Sequence, residues 1–153
     1  MYIGGRITSM KISIKNIKEM DEFAESFTEN VVKKDQGAFV VGLQGDLGSG
    51  KTTFTKSVAS VFGVEGVVTS PTFVIEKIYK LPKNNQFSNM IHIDAYRLDK
   101  PEELLSLGWE YLISDSNNII FIEWPERVKE ILPEDICTMS FSFIDENTRE
   151  VEY

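Results

Sequence analysis

Between positions 45 and 52 the chain reads Gly-Asp-Leu-Gly-Ser-Gly-Lys-Thr. Glycine at that density is at home in neither a helix nor a strand, so the segment has to be a tight loop whose backbone curls on itself. Its flanks narrow the choice of fold. Upstream, Ala38-Phe39-Val40-Val41-Gly42-Leu43 is a short, nearly continuous apolar run, as expected of a strand buried on both faces of a parallel sheet. Downstream, Phe54, Val58, Val61 and Phe62 recur on one face of a helix that Gly63 would close. Strand, glycine loop and helix in that order constrain the chain to an α/β architecture.

The loop fits the pattern G-x-x-x-x-G-K-[ST], in which each residue type has a chemical reason. Gly45, Gly48 and Gly50 let successive N–H groups point inward at phosphate oxygens, aided by the positive end of the following helix. Lys51 supplies a mobile charge for the β- and γ-phosphates, and the Thr52 hydroxyl is the expected ligand for Mg²⁺, which prefers hard oxygens. The candidate nucleotide cradle therefore comprises Gly45, Asp46, Leu47, Gly48, Ser49, Gly50, Lys51, Thr52 and Thr53. The bland alternative is an ordinary glycine-rich turn capping a helix. The strand before it and the lysine-threonine pair after it argue against that.

At 153 residues and 42% hydrophobic composition the chain suits one compact domain, expected over residues 10–153, with 1–9 as a loosely ordered extension. Its apolar runs, such as Ile119-Ile120-Phe121-Ile122, fall far short of the ~20 residues a membrane span needs, and the start lacks a signal-peptide pattern, so a cytoplasmic protein is expected. One cysteine and one histidine exclude a Cys/His metal cluster, and Cys137, in an alternating strand pattern, reads as a buried inert thiol. With 16 Lys and Arg against 24 Asp and Glu the net charge is −8, a poor basis for gripping a phosphodiester backbone. Any link to RNA is expected to run through a partner protein.

Along the chain, Lys11 to Ile14 alternates like a strand, and Asn16 followed by Glu19 resembles a capping box ahead of a helical stripe at Met20, Phe23, Ala24, Phe27 and Val31. Residues 69–73 read as an exposed loop. Strand patterns over 74–80 and 90–93, separated by a turn region rich in Pro and Asn, predict a hairpin. Pro101, Glu102 and Glu103 start a helix that Gly108 would end, Ile119–Ile122 is a buried strand, and 125–131 a short helix. The tail, with Cys137, Met139, Phe141 and Phe143 on one face and a turn at 145–147, reads as an antiparallel hairpin at the edge of the sheet. The expected fold is a single-domain P-loop NTPase, with a mostly parallel central sheet, flanking helices and antiparallel edge strands.

In such sheets ligands sit beyond the carboxyl ends of the strands. Two acids stand there: Asp94 after Ile91-His92-Ile93, and Glu123 after Ile119–Ile122. A P-loop enzyme needs one acid near Mg²⁺ and often a second to orient the attacking water. We place Asp94 in the Mg²⁺ shell and Glu123 near the metal and γ-phosphate; helix capping is the competing role for each. His92 reads as a structural histidine within its strand. Trp124 is either core packing or a gate or partner contact, and Thr72, after Ser70-Pro71, is either a turn residue or a switch threonine sensing the γ-phosphate.

Taken in order, Gly-Asp-Leu-Gly-Ser-Gly-Lys-Thr-Thr (45–53), Ser-Pro-Thr-Phe (70–73), His-Ile-Asp-Ala-Tyr-Arg-Leu (92–98), Pro-Glu-Glu-Leu (101–104) and Ile-Glu-Trp-Pro-Glu (122–126) resemble the TsaE family, formerly YjeE. That family is the small ATPase of bacterial tRNA threonylcarbamoyladenosine synthesis at adenosine 37, working with TsaB, TsaC and TsaD. The resemblance implies an ATP- and Mg²⁺-dependent motor that docks on the TsaB–TsaD pair and resets it between turnovers, meeting tRNA only indirectly. It implies catalytic roles for Lys51, Thr72, Asp94 and Glu123, metal contacts from Thr52, Asp94 and Glu123, and a functional aromatic at Trp124. It also brings the segment Lys18–Met20 towards the adenine.

Two rival classes remain. A P-loop small-molecule kinase usually closes an arginine-rich lid over the phosphates, whereas here Arg6, Arg97, Arg127 and Arg149 are scattered. A GTPase lacks its Asn-Lys-x-Asp guanine-reading motif here. A nucleotide-gated binding module, in which hydrolysis is incidental, is the non-enzymatic rival. With no obvious arginine finger, unless Arg97 serves in cis, hydrolysis by the chain alone is expected to be slow.

Overall fold

In the computed structural model, which describes residues 9–71 and 73–153, seven strands form one mixed sheet between two layers of helices. The strands are β1 (Lys11–Ile14), β2 (Phe39–Gln44), β3 (Glu76–Lys80), β4 (Asn89–Asp94), β5 (Asn118–Glu123), β6 (Cys137–Phe143) and β7 (Arg149–Glu152), in the order β1-β7-β6-β2-β5-β4-β3. The central four, β6, β2, β5 and β4, are parallel. The β3–β4, β6–β7 and β1–β7 pairs are antiparallel. The helices are α1 (Ile17–Asn30), α2 (Lys51–Val61), α3 (Pro101–Leu105) and α4 (Trp109–Ser114), with a 3₁₀ helix over Pro125–Ile131.

The period of two along each strand divides the core. Val41, Leu43, Ile119, Phe121, Met139 and Phe141 face α1 and α2, where Phe54, fully buried, meets the rings of Phe23, Phe27, Phe121 and Phe141 at centroid distances of 5.2 to 6.2 Å. On the other face Val40, Ile91, Ile93, Ile120 and Ile122 pack on Leu104, Trp109, Leu112 and Val128, and Trp109 Nε1 donates to Ile131 O at 3.0 Å. Central strands covered on both faces are largely apolar, which is why Ile119–Ile122 of β5 reads as an unbroken run.

Local chemistry sets the element ends. Asn16 Oδ1 accepts from Glu19 N at 2.9 Å, while Glu19 Oε2 accepts from Lys15 N at 2.7 Å, so the expected box closes one residue further back. Gly63, at φ 78°, ends α2 as expected.

Four expectations need correction. The β6–β7 hairpin forms but does not lie at the sheet edge, because β1 pairs outside β7, from Lys11↔Glu152 to Ile14↔Arg149, and is itself the edge strand. Gly108 does not simply end a helix: α3 stops at Leu105, and Gly108, at φ 86°, turns the chain into α4, whose Trp109 and Leu112 fill the second core. Val61 is 39% exposed, and α2 instead buries Thr55, Ser57 and Ala59 along with Phe54 and Val58. Cys137 is only partly buried, though enough to push its thiol up. Met10 exchanges backbone hydrogen bonds with Tyr153; residues 1–8 of the expected extension, and Thr72, lie outside the described residues.

Strand direction positions the site. β1 runs against β7, and β7 against β6, so β1, β6, β2, β5 and β4 all end at the same rim of the sheet. The chain leaves that rim through Lys15-Asn16, Asp145–Thr148, Gly45–Gly50, Trp124 and Ala95-Tyr96 respectively.

Candidate functional site

Beyond this rim lies a cavity of about 560 Å³. Its floor is the glycine loop, one wall is the pair of acids at the ends of β4 and β5, and the far wall comprises the β1–α1 junction and the β6–β7 turn.

Gly45 leaves β2 at φ 138° with the backbone of β6 pressed against it: a Cβ there would lie 2.4 Å from Phe141 O and 2.7 Å from Ser49 Oγ. Only glycine satisfies both the angle and the space. Gly50, at φ 109°, turns the loop into the first residue of α2, with Phe54 N bonded to Gly50 O at 2.9 Å. Leu47 through Thr53 line the cavity. Gly45 and Asp46 stand behind it, and their carbonyl oxygens both accept from Lys51 Nζ, the Asp46 bond being 2.9 Å. Lys51 is 5% exposed. Burial lowers its pKa, against the pull of the Glu123, Asp94, Glu126 and Asp46 charges. Its ammonium also lies 4.6 Å from the centroid of the Trp124 ring.

The two acids come together as the strand-end argument expects. Asp94 and Glu123 are directly paired across the β4–β5 ladder, on the face towards α2, and only 6% and 3% exposed. Thr52 Oγ1 donates to Glu123 Oε1 at 2.6 Å, so of the two acids it is Glu123 that touches the loop's hydroxyl. Burial alone would raise the Glu123 pKa; hydrogen bonds from His92 and Thr52, with the charge of Lys51, outweigh it and hold the carboxyl below its ordinary range. Asp94 Oδ1 accepts from Tyr96 N at 2.9 Å, fixing the chain as it leaves β4.

Trp124 stands on the cavity wall in the left-handed region, φ 59° and ψ 49°. A non-glycine residue held there stores roughly 1–2 kcal/mol of strain. Its N–H bonds to Leu43 O at 3.2 Å, anchoring the turn to β2. Its ring stacks obliquely on Tyr96, centroids 5.1 Å apart, and the Arg127 guanidinium lies 5.8 Å from the Tyr96 ring.

Sequence reasoning missed part of the enclosure. Arg149, from β7, lines the cavity, donates Nε–H to Gly48 O at 3.1 Å and lies 4.5 Å from the Phe143 ring. The arginine weighed for a role in cis, Arg97, sits instead 5.0 Å from the Phe73 ring and is not among the cavity walls. Ile14, Ile17 and Met20 form an apolar wall, whereas the Lys18 side chain is 86% exposed and outside it. The signal for Arg149 was the hairpin itself, but only the strand order brings it beside the loop.

The family model for threonylcarbamoyl adenosine biosynthesis protein TsaE matches residues 14–151. Proteins named tRNA threonylcarbamoyladenosine biosynthesis protein TsaE are similar throughout: that of Rickettsia prowazekii is 36% identical over 138 residues, covering 90% of this chain and 89% of its own. That of Haemophilus influenzae is 36% identical over 129 residues, covering 83% and 78% respectively. The crystal structure of Bacillus subtilis YdiB superposes with a TM-score of 0.72 at 25% identity, covering 97% of this chain and 86% of that one. By both sequence and architecture, the chain belongs to the TsaE family.

Proposed function

We propose that this protein is a Mg²⁺-dependent P-loop ATP hydrolase serving tRNA N6-threonylcarbamoyladenosine (t6A37) biosynthesis, acting on a TsaB–TsaD pair and not as the transferase. The observation that carries the reading is the hydrogen bond between Thr52 and Glu123, which joins the hydroxyl of the glycine loop to an acid at the end of a central strand. The relatives' names support the pathway.

The chain's own residues divide the work. The N–H groups of the loop and of the first turn of α2 are the donors that phosphates bound there would meet. Lys51, a buried ammonium held by two carbonyls, exchanges them for phosphate oxygens, a stronger partner for a charge. Ile14, Ile17 and Met20 offer the apolar wall a purine needs. Among the described residues no cluster of three His, Cys, Asp or Glu could cage an ion. A hydroxyl and two carboxylates fit Mg²⁺, which keeps part of its shell for water and phosphate. When bound, Mg²⁺ neutralises charge on the β- and γ-phosphates. Thr52, Asp94 and Glu123 would hold it, Thr72 keeps the switch role by resemblance, and Trp124 shields the Lys51 ammonium from water.

Phosphate release from Mg²⁺-ATP, measured with the chain alone and then with a purified TsaB–TsaD pair, tests the reading. Slow release that the pair accelerates is expected. Brisk turnover indifferent to the pair would overturn the partner-coupled role.

A further inference from the structure

His92 is the chain's only histidine and is wholly buried in β4. Alternation along β4 sets it on the same face as Asp94, and the parallel ladder sets Phe121 and Glu123 alongside. Its Nε2 lies 3.2 Å from Glu123 Oε1, the oxygen that also accepts the Thr52 hydroxyl. Its Nδ1 is buried and has no hydrogen-bond partner among the described residues.

For the neutral ring these contacts assign the tautomer. A carboxylate oxygen only accepts, so the approach of Nε2 is a hydrogen bond when Nε2 carries the hydrogen. Nδ1 is then an idle lone pair, a smaller loss than an unpartnered buried N–H. A histidine serving the core alone gains nothing from this arrangement. Both of its polar atoms are sunk in the sheet, and among the described residues the one hydrogen bond they make is with a cavity carboxylate.

The two donors on Glu123 differ in kind. Thr52 belongs to the loop's helix and would offer its oxygen to a cation bound there. His92 is fixed by ladder pairing on both sides, to Lys77 and to Phe121, and does not depend on any ligand. We infer that His92 is a positioning residue for Glu123: its Nε2–H holds Oε1 from within the sheet, so the carboxylate stays in place while Thr52 engages Mg²⁺. Outer partners of this type typically alter metal affinity or turnover by about 10- to 100-fold. The inference rests on the proposed function and adds to it a residue that touches neither nucleotide nor metal.

The test uses the intact chain, with His92→Phe removing the donor and His92→Gln returning one. ATP affinity is titrated calorimetrically without Mg²⁺, Mn²⁺ binding is followed by paramagnetic resonance in the presence of nucleotide, and turnover is measured against Mg²⁺. His92→Phe is expected to leave Mg²⁺-free ATP affinity within about twofold and to weaken Mn²⁺ affinity and turnover about tenfold or more, with His92→Gln recovering most of both. Equal Mn²⁺ affinity in His92→Phe and wild type, or a glutamine variant as impaired as the phenylalanine one, overturns the inference. If His92→Phe does not fold, nitrogen-15 imidazole shifts of the wild-type chain decide: the Nε2–H tautomer supports the bond and Nδ1–H overturns it. A wild type that binds no ATP overturns the functional reading, and this inference with it, before any variant is compared.

Discussion

Thr52 on the first turn of α2 and Glu123 at the end of β5 are joined by a 2.6 Å hydrogen bond across 71 residues of sequence. A threonine hydroxyl spends its hydrogen on that bond and keeps its lone pairs, which suits it to bind a carboxylate and a cation together. Glu123→Ala is therefore expected to spare nucleotide affinity and to slow turnover about tenfold or more. Parallel ATP titrations and phosphate-release rates check this; equal loss in both would mean that Glu123 mainly holds the metal.

Lys51→Ala should remove nucleotide binding and turnover while the fold persists, since the ammonium is held by loop carbonyls and a ring, not by a core ion pair. Circular dichroism beside an ATP titration separates the two effects. Unchanged ATPase activity would overturn the site.

Trp124 should report the movement of that lysine. With Lys51 Nζ 4.6 Å from its ring centroid, withdrawal of the cation towards phosphate changes the indole's surroundings, whereas Trp109 is sealed in the core. ATP is expected to shift the emission of the wild type, and Trp124→Phe to abolish the response.

Gly45→Ala places a Cβ 2.4 Å from a backbone carbonyl of β6 at a φ that side chains avoid. A loss of roughly 2 kcal/mol or more is expected. Thermal denaturation reads this directly, with Gly48→Ala, where a Cβ meets nothing within 4 Å, as the milder comparison.

Glu76, the first residue of β3, has a buried Oε2 without a hydrogen-bond partner among the described residues, and burial raises its pKa. A raised folded-state pKa contributes stability below the unfolded value, about 4.3, and loses it as pH rises through the folded one. Glu76→Gln should therefore stabilise the fold at pH 7, the gain fading towards pH 4. Urea midpoints at the two pH values check the sign.

The elements written by local chemistry were legible in advance. The apolar run of β5, the glycine loop, the Asn16–Glu19 cap and the β3–β4 hairpin each follow from short-range pattern. So did the meeting of Asp94 and Glu123, because two strand-end acids on parallel neighbours must share a rim. What stayed hidden depends on strand order. The Arg149 bond to Gly48 O needs β7 two strands from β2, and the β6–β7 hairpin looked like an edge because β1, four residues long, gives no hint that it pairs outside β7. α4 was missed because, at six residues, it is too short to display a helical period.

β2, which carries the glycine loop, takes both of its sheet neighbours, β5 and β6, from the later part of the chain. During synthesis from the amino end the loop is made early, yet the strands that hold its base and the arginine that grips Gly48 emerge long afterwards. The cavity therefore needs segments made well after its glycine loop, and a nascent chain carries the loop before it has the strands that give the loop its shape.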